Sequence, residues 1–167
     1  MKTDICLTAL IVVCCGCTSQ RTEELTQQQK DQTKNEVRVL VDSMIAKDER
    51  LDANGAMRYY WDSPEFITFN VDGTRSDYQT YTKGAIDQFS SFASLKLTNV
   101  REDFVVLSKD IVICAWLGKA EVTLKSGDRM LFDPDAVMMV FKKIAGEWKI
   151  VSQQESATIV TQKAVEK

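Results

Sequence analysis

The hydrophobic pattern changes period twice along the chain. Val37, Leu40, Val41, Met44 and Ile45 recur at helical spacing, with Asp42, Lys47 and Asp48 assigned to the other side, and predict an amphipathic helix over residues 34–50. Ala53, Ala56, Met57 and Tyr60 predict a second, shorter helix over Asp52 to Tyr60. Asp62-Ser63-Pro64 ends it, because the residue before a proline is driven out of the helical region. Phe66-Ile67-Thr68-Phe69-Asn70 has strand composition and runs into an Asp72-Gly73 turn. Ser76 and Gln79 have the spacing of a capping box for a third helix, which carries Tyr78, Tyr81, Ala85, Phe89 and Phe92 on one stripe.

From Leu95 onward the period is two. Leu97–Leu107, Ile111–Lys125, Arg129–Lys143 and Glu147–Glu155 read as four strands joined by short polar turns. Short connections make antiparallel hairpins, so helices first and a meander last predict an α+β domain. Pro134 would remove a ladder hydrogen bond, which predicts a bulge or bend at Asp133-Pro134-Asp135. Ile111 to Leu117 and Ala136 to Phe141 are apolar on both strand faces, so the sheet needs cover on both sides. A second copy of the chain over the outer face is the expected cover, and the tail around Ala157, Ile159 and Val160 folding back is the alternative.

Before residue 34 the pattern is that of an address. Ile5 to Val13 is an uncharged run of nine residues, too short for a membrane span, which needs about 20 apolar residues. Cys14, Cys15, Gly16 and Cys17 follow, and the chain then turns polar. Gly16-Cys17 resembles the cleavage and acylation motif of bacterial lipoproteins. That resemblance implies a signal peptide over residues 1–16, a lipidated Cys17, a polar tether over 17–33, and anchoring in the cell envelope. Thr18 after the acylated position implies the outer membrane. The domain is then expected over 34–156 and a C-terminal tail over 157–167.

Composition narrows the chemistry. The 167 residues contain no histidine, which removes Ser-His-Asp and Cys-His mechanisms and histidine zinc sites. A net charge of −3 with no long basic run argues against nucleic acid as a partner. Four of the five cysteines lie in the N-terminal segment, and Cys114 sits in an apolar run as a core thiol. No cofactor motif occurs. Asp52-Ala53-Asn54-Gly55 and Asp133-Pro134-Asp135 fall short of a calcium loop, so no metal is expected.

Tyr60-Trp61-Asp62-Ser63-Pro64-Glu65-Phe66, then Asp72-Gly73, then Gly146-Glu147-Trp148-Lys149-Ile150-Val151, in this order of elements, resemble the nuclear transport factor 2-like superfamily, and within it SnoaL-like and steroid-isomerase-like domains. The resemblance spans about residues 35–156. It implies three helices on a curved, mainly antiparallel sheet, a cone with one apolar pocket, and dimers formed through the outer sheet face.

Alternation from Trp148 and Ile150 places Ser152 and Gln154 inward and Lys149, Gln153 and Glu155 outward. Phe66, Thr68 and Asn70 share one face of the first strand, and Trp61, Trp116 and Met139 complete the expected pocket. Steroid isomerases place a carboxylate base near the end of this strand, where the matching residue is Asn70. Asp72 is the one nearby carboxylate, with Tyr60 or Tyr81 as a donor, but an Asp before Gly is a turn former. The reading is a lipid-anchored protein whose domain binds a small apolar ligand or serves as an accessory module without catalysis. The alternatives are an isomerase-like enzyme on a small cyclic substrate and a dimerisation module.

Overall fold

The computed structural model describes residues 24–164, so the expected signal peptide, Cys17 and the first part of the expected tether lie outside the described residues. Three helices, α1 (Gln27–Asp48), α2 (Ala53–Met57) and α3 (Tyr78–Ser91), pack with six strands: β1 (Ile67–Phe69), β2 (Arg75–Ser76), β3 (Phe92–Ser108), β4 (Ile111–Leu124), β5 (Arg129–Ile144) and β6 (Glu147–Gln162). They form one sheet in the order β2-β1-β6-β5-β4-β3, antiparallel except where β1 runs parallel to β6. The α+β architecture read from the periodicity is the one observed. No helix among the described residues is long and apolar enough to cross a membrane.

The boundaries differ at both ends. α1 begins at Gln27 rather than at 34 because Thr26 and Gln29 cap it reciprocally. The Gln29 N–H donates to Thr26 Oγ1 (3.3 Å), and the Thr26 N–H donates to Gln29 Oε1 (2.9 Å). The tail after 156 is not a flap over the outer face: β6 continues to Gln162, pairing Ala157 with Asp135 and Ile159 with Phe132. The N-cap of α3 is Asp77, whose carboxylate accepts from Thr80 N–H (2.8 Å), in place of Ser76.

One stripe of α1, Thr33, Val37, Val41 and Met44, is buried against Val112, Cys114, Phe141 and Ile150 of the sheet, closing the narrow end. Trp148 belongs to this end. Its Nε1–H donates to Glu36 Oε2 (2.9 Å), and Lys143 lies 5.0 Å from its ring centre. A second apolar cluster, Phe92, Ala120, Val122 and Phe132, lies toward the wide end.

Between the two clusters the long strands bend together. Pairing skips between Asn99 and Arg101, between Gly118 and Ala120, and between Phe132 and Asp135, and these sites are neighbours across the sheet through Asn99↔Gly118 and Gly118↔Asp135. Extra residues on one strand of a pair bend it and increase its twist. Gly118 is required here: a Cβ would stand 2.3 Å from the Trp116 ring and 2.4 Å from the Thr98 carbonyl oxygen. The Trp116 ring therefore lies flat across Gly118, on the concave face.

α3 contacts α2, β1 and β2 but stands off the long strands. Tyr78 and Tyr81 rest on Phe66 and Tyr60 at its start, with ring centres 5.3–6.2 Å apart, and Phe89 rests on Phe92 at its end. The space left between helix and sheet is the cavity. On the convex face Val105, Leu107 and Met138 are exposed.

Candidate functional site

The cavity has a volume of about 690 Å³, within the range of small-molecule sites. Its walls are mostly apolar: Val41 and Met44 from α1, Ala85 and Phe89 from α3, and Trp116, Val122, Phe132 and Met139 from the sheet. Against this background a few polar groups converge.

The first is a hydrogen-bonded chain. The Tyr60 hydroxyl donates to Gln153 Oε1 (2.8 Å), and Gln153 Nε2 donates to the Tyr81 hydroxyl (3.0 Å). Tyr81 thus accepts, and its own hydrogen is able to rotate toward the cavity. Burial raises both phenols, Tyr81 to about 12, so they are neutral at every physiological pH.

The second is a set of carboxyl groups. Asp48 ends α1, one turn beyond Met44. Burial raises it to about 7, with repulsion from Glu155 and Glu49 adding to the shift. Glu155 on β6 is also raised to about 7, by burial first and the Asp135 charge second. Asp135, at the bend of β5, is raised to about 6 by burial, and its Oδ1 is buried without a partner. Trp116, a cavity-lining side chain only 5% exposed, likewise has its Nε1–H buried without a partner.

Of the side chains expected to form the pocket, the structure places Asn70, Trp116 and Met139 on the cavity, together with Tyr60, Tyr81 and Asp72. Phe66 and Thr68 are buried behind the tyrosine pair, Trp148 belongs to the closed end, and Trp61 is half-buried off the cavity. Ser152 and Gln154 are not inward. Phe141 pairs with Ile150 but Val140 pairs with Ser152, so Val151 is an extra residue in β6. That single bulge reverses the alternation, turning Gln153 and Glu155 in and exposing Gln154. Asp48 is corrected too. It continues the α1 stripe four residues beyond Met44, so it shares the buried face instead of opposing it.

Asp72 is a turn residue at the rim. Its carboxylate accepts from Thr74 Oγ1 (2.6 Å) and Thr74 N–H (2.9 Å), which hold its pKa below the usual range, and Gly73 adopts φ +80°. Asn70 Nδ2 donates to Thr74 Oγ1 (3.0 Å) and Ser76 Oγ (3.1 Å), tying the same turn. Cys114 is buried at the closed end and its thiol is raised to about 12, so it is no nucleophile. Among the described residues no group of side chains has the arrangement of a metal site.

No protein-family model matches the sequence, and no curated protein matches it. Solved structures do share its fold. A nuclear transport factor 2-like superfamily protein from Salmonella enterica serovar Typhimurium superposes with a TM-score of 0.69 at 14% identity, over 77% of this chain and 92% of that one. An NTF2-like protein of unknown function from Pseudomonas putida KT2440 gives 0.64 at 13% identity, over 77% and 88%. A type-3 hexachlorocyclohexane dehydrochlorinase from Novosphingobium barchaimii gives 0.66 at 9% identity, over 84% and 97%. The chain therefore has the nuclear transport factor 2-like fold.

The cavity acids generate a pH dependence of stability. A carboxyl whose pKa is higher folded than unfolded binds more protons in the native state, so its contribution is full below about pH 4 and is lost as pH rises through its folded value. For Asp48, Asp135 and Glu155 the window of loss runs from about 4 to about 7. The melting temperature is expected to fall by several degrees between about pH 5 and about pH 8, and to fall less in Asp48→Asn and Glu155→Gln. Differential scanning fluorimetry across that range checks it. A flat or rising profile would show these acids to be solvated like surface groups.

Proposed function

We propose that the domain binds a small, largely apolar molecule in this cavity. The observation that carries the reading is an apolar space of about 690 Å³ whose lining includes the hydrogen-bonded Tyr60–Gln153–Tyr81 chain and the Trp116 side chain. The apolar walls supply affinity and the polar groups fix orientation. Nile red, a neutral solvatochromic dye, is a suitable probe with the full-length Cys17→Ser protein in detergent-free buffer. Trp116→Ala is expected to weaken its binding about ten-fold or more by emptying an aromatic wall, whereas Asp72→Asn leaves it unchanged because Asp72 serves the turn. Equal affinity in Trp116→Ala and the unaltered wall would place the dye elsewhere.

A second reading, proton transfer on a small carbonyl substrate, is favoured by one specific feature. None of the positions expected inward from sequence titrates near neutrality, but Asp48 and Glu155 do, beside two neutral phenols able to donate to a developing oxyanion. Exchange of the α-hydrogens of a cyclic ketone in deuterium oxide, followed by NMR, tests it. A rate above buffer that falls at least about 100-fold in Glu155→Gln or Asp48→Asn, with Nile red binding retained, is expected on this reading. Exchange at the buffer rate removes it.

We also propose that Cys17 carries a lipid anchor in the outer membrane and that two copies pair through the convex sheet face. The support is the small-residue and cysteine motif at Gly16-Cys17 and the exposed Val105, Leu107 and Met138. Native mass spectrometry from detergent reads both: acyl mass on Cys17 that disappears in Cys17→Ser, and a doubled mass. An unmodified thiol rejects the anchor, and a single-chain mass rejects the pairing.

A further inference from the structure

The cavity is electrically one-sided. Its described walls carry four carboxyl groups, Asp48, Asp72, Asp135 and Glu155, and neither lysine nor arginine. Asp72 is satisfied by Thr74 at the rim, but the other three come from separate elements, α1, β5 and β6, and meet at the cavity. Among the described residues none of the three is in an ion pair, although ten such pairs occur elsewhere in the domain.

Carboxyl groups brought together in a low-dielectric space are costly unless they are protonated or meet a cation. Here the protein supplies no cation. Two side chains of the cavity wall are also incompletely satisfied: Asp135 and Trp116 each carry a buried polar atom, Oδ1 and Nε1–H, without a partner. One is an acceptor and the other a donor, in side chains that are 5% exposed. The Tyr60, Tyr81 and Trp116 rings add electron-rich faces, which attract a positive charge that the aliphatic walls would not.

We propose that the ligand of this cavity is a lipophilic amine: an aromatic or cyclic hydrocarbon body bearing one protonated nitrogen. The body occupies the apolar space, and the ammonium group donates to Asp135 and lies among Asp48, Asp135 and Glu155. Neutral molecules of the same shape gain only the apolar part, and carboxylic acids are repelled. This inference rests on the small-molecule reading above and specifies its ligand class.

Matched amines and alcohols with benzyl, 1-naphthylmethyl and 1-adamantylmethyl bodies separate the two ideas. Isothermal titration calorimetry is run with the full-length Cys17→Ser protein at about pH 8, where the acids have largely lost their protons and the amines keep theirs. At least one amine is expected to bind about ten-fold or more tighter than its alcohol, a gap that shrinks to about three-fold or less in Asp135→Asn and in the Asp48→Asn/Glu155→Gln pair. Retained near-ultraviolet circular dichroism shows that these variants are folded. Equal binding of amine and alcohol overturns the ligand class while leaving a small-molecule cavity. An amine preference that survives in every folded carboxyl variant overturns the site. Binding by neither series, together with no binding of Nile red, counts against the cavity reading as well as the ligand class.

Discussion

The chemistry of the cavity depends on one unpaired residue in β6. Trp148 and Ile150 point into the core, Val151 is passed over by the ladder, and Gln153 and Glu155 then take the inward positions. Because strand side chains alternate with a period of two, a single insertion exchanges the two faces for everything beyond it. Ser152 and Gln154 would have made a neutral polar floor. The slip instead delivers an amide that joins Tyr60 to Tyr81 and a carboxyl group facing Asp48 and Asp135. The bend through Gly118 and Asp133-Pro134 sets the other half of the site, by letting Trp116 lie across the concave face and bringing Asp135 under it.

The resulting site differs from much of the domain. Several carboxyls elsewhere are stabilised where they stand: Asp52 accepts from Lys47 and caps α2, Asp77 caps α3, and Asp128 binds Lys163 and the Ala164 N–H. Each of these is held below its ordinary pKa by such contacts. Around the cavity, burial and mutual repulsion push three acids the other way. Local conflict of that kind is characteristic of functional positions, because selection for stability alone would remove it. The cavity owes its existence to α3 standing off the sheet on aromatic supports at its two ends, which leaves Gly84, Ala85 and Gln88 as small or polar lining.

Most of the frame was legible in the sequence because it rests on local signals. The 3.6-residue stripe of α1, the Asp72-Gly73 turn and the alternation with short polar turns after Leu95 each report an element directly, and helices followed by a meander report the class. The first turns of α1 were not legible from hydrophobic period, since residues 27–32 have none. The Thr26/Gln29 box was the available signal. Asp48 was also recoverable, by extending the Val37, Val41, Met44 stripe by one more turn. Glu155 and Gln153 were not, because no residue near Val151 announces a bulge, and the error passed unchanged to every position beyond it. Trp148 shows a different limit: its burial was predictable, but its neighbours Glu36 and Lys143, about 110 residues away and within the same hairpin respectively, place it at the closed end instead of on the cavity.

These relations explain how one frame can hold unrelated chemistries at very low sequence identity. The Salmonella protein and the Novosphingobium dehydrochlorinase match this backbone at 14% and 9% identity, so what is shared is the pattern of helices, strands and bends rather than the side chains facing inward. In such a frame the polarity of the pocket does not have to change by substitution. Moving the bulge of β6 to beyond Glu155 would exchange Gln153 and Glu155 for Ser152 and Gln154, with the composition of the strand untouched and the core contacts of Trp148 and Ile150 intact. A neutral and an acidic β6 wall therefore differ in the place of one bulge, while Asp48 and Asp135 line the cavity in either case. The register of β6, more than its residue content, decides which side chains that strand contributes to the pocket.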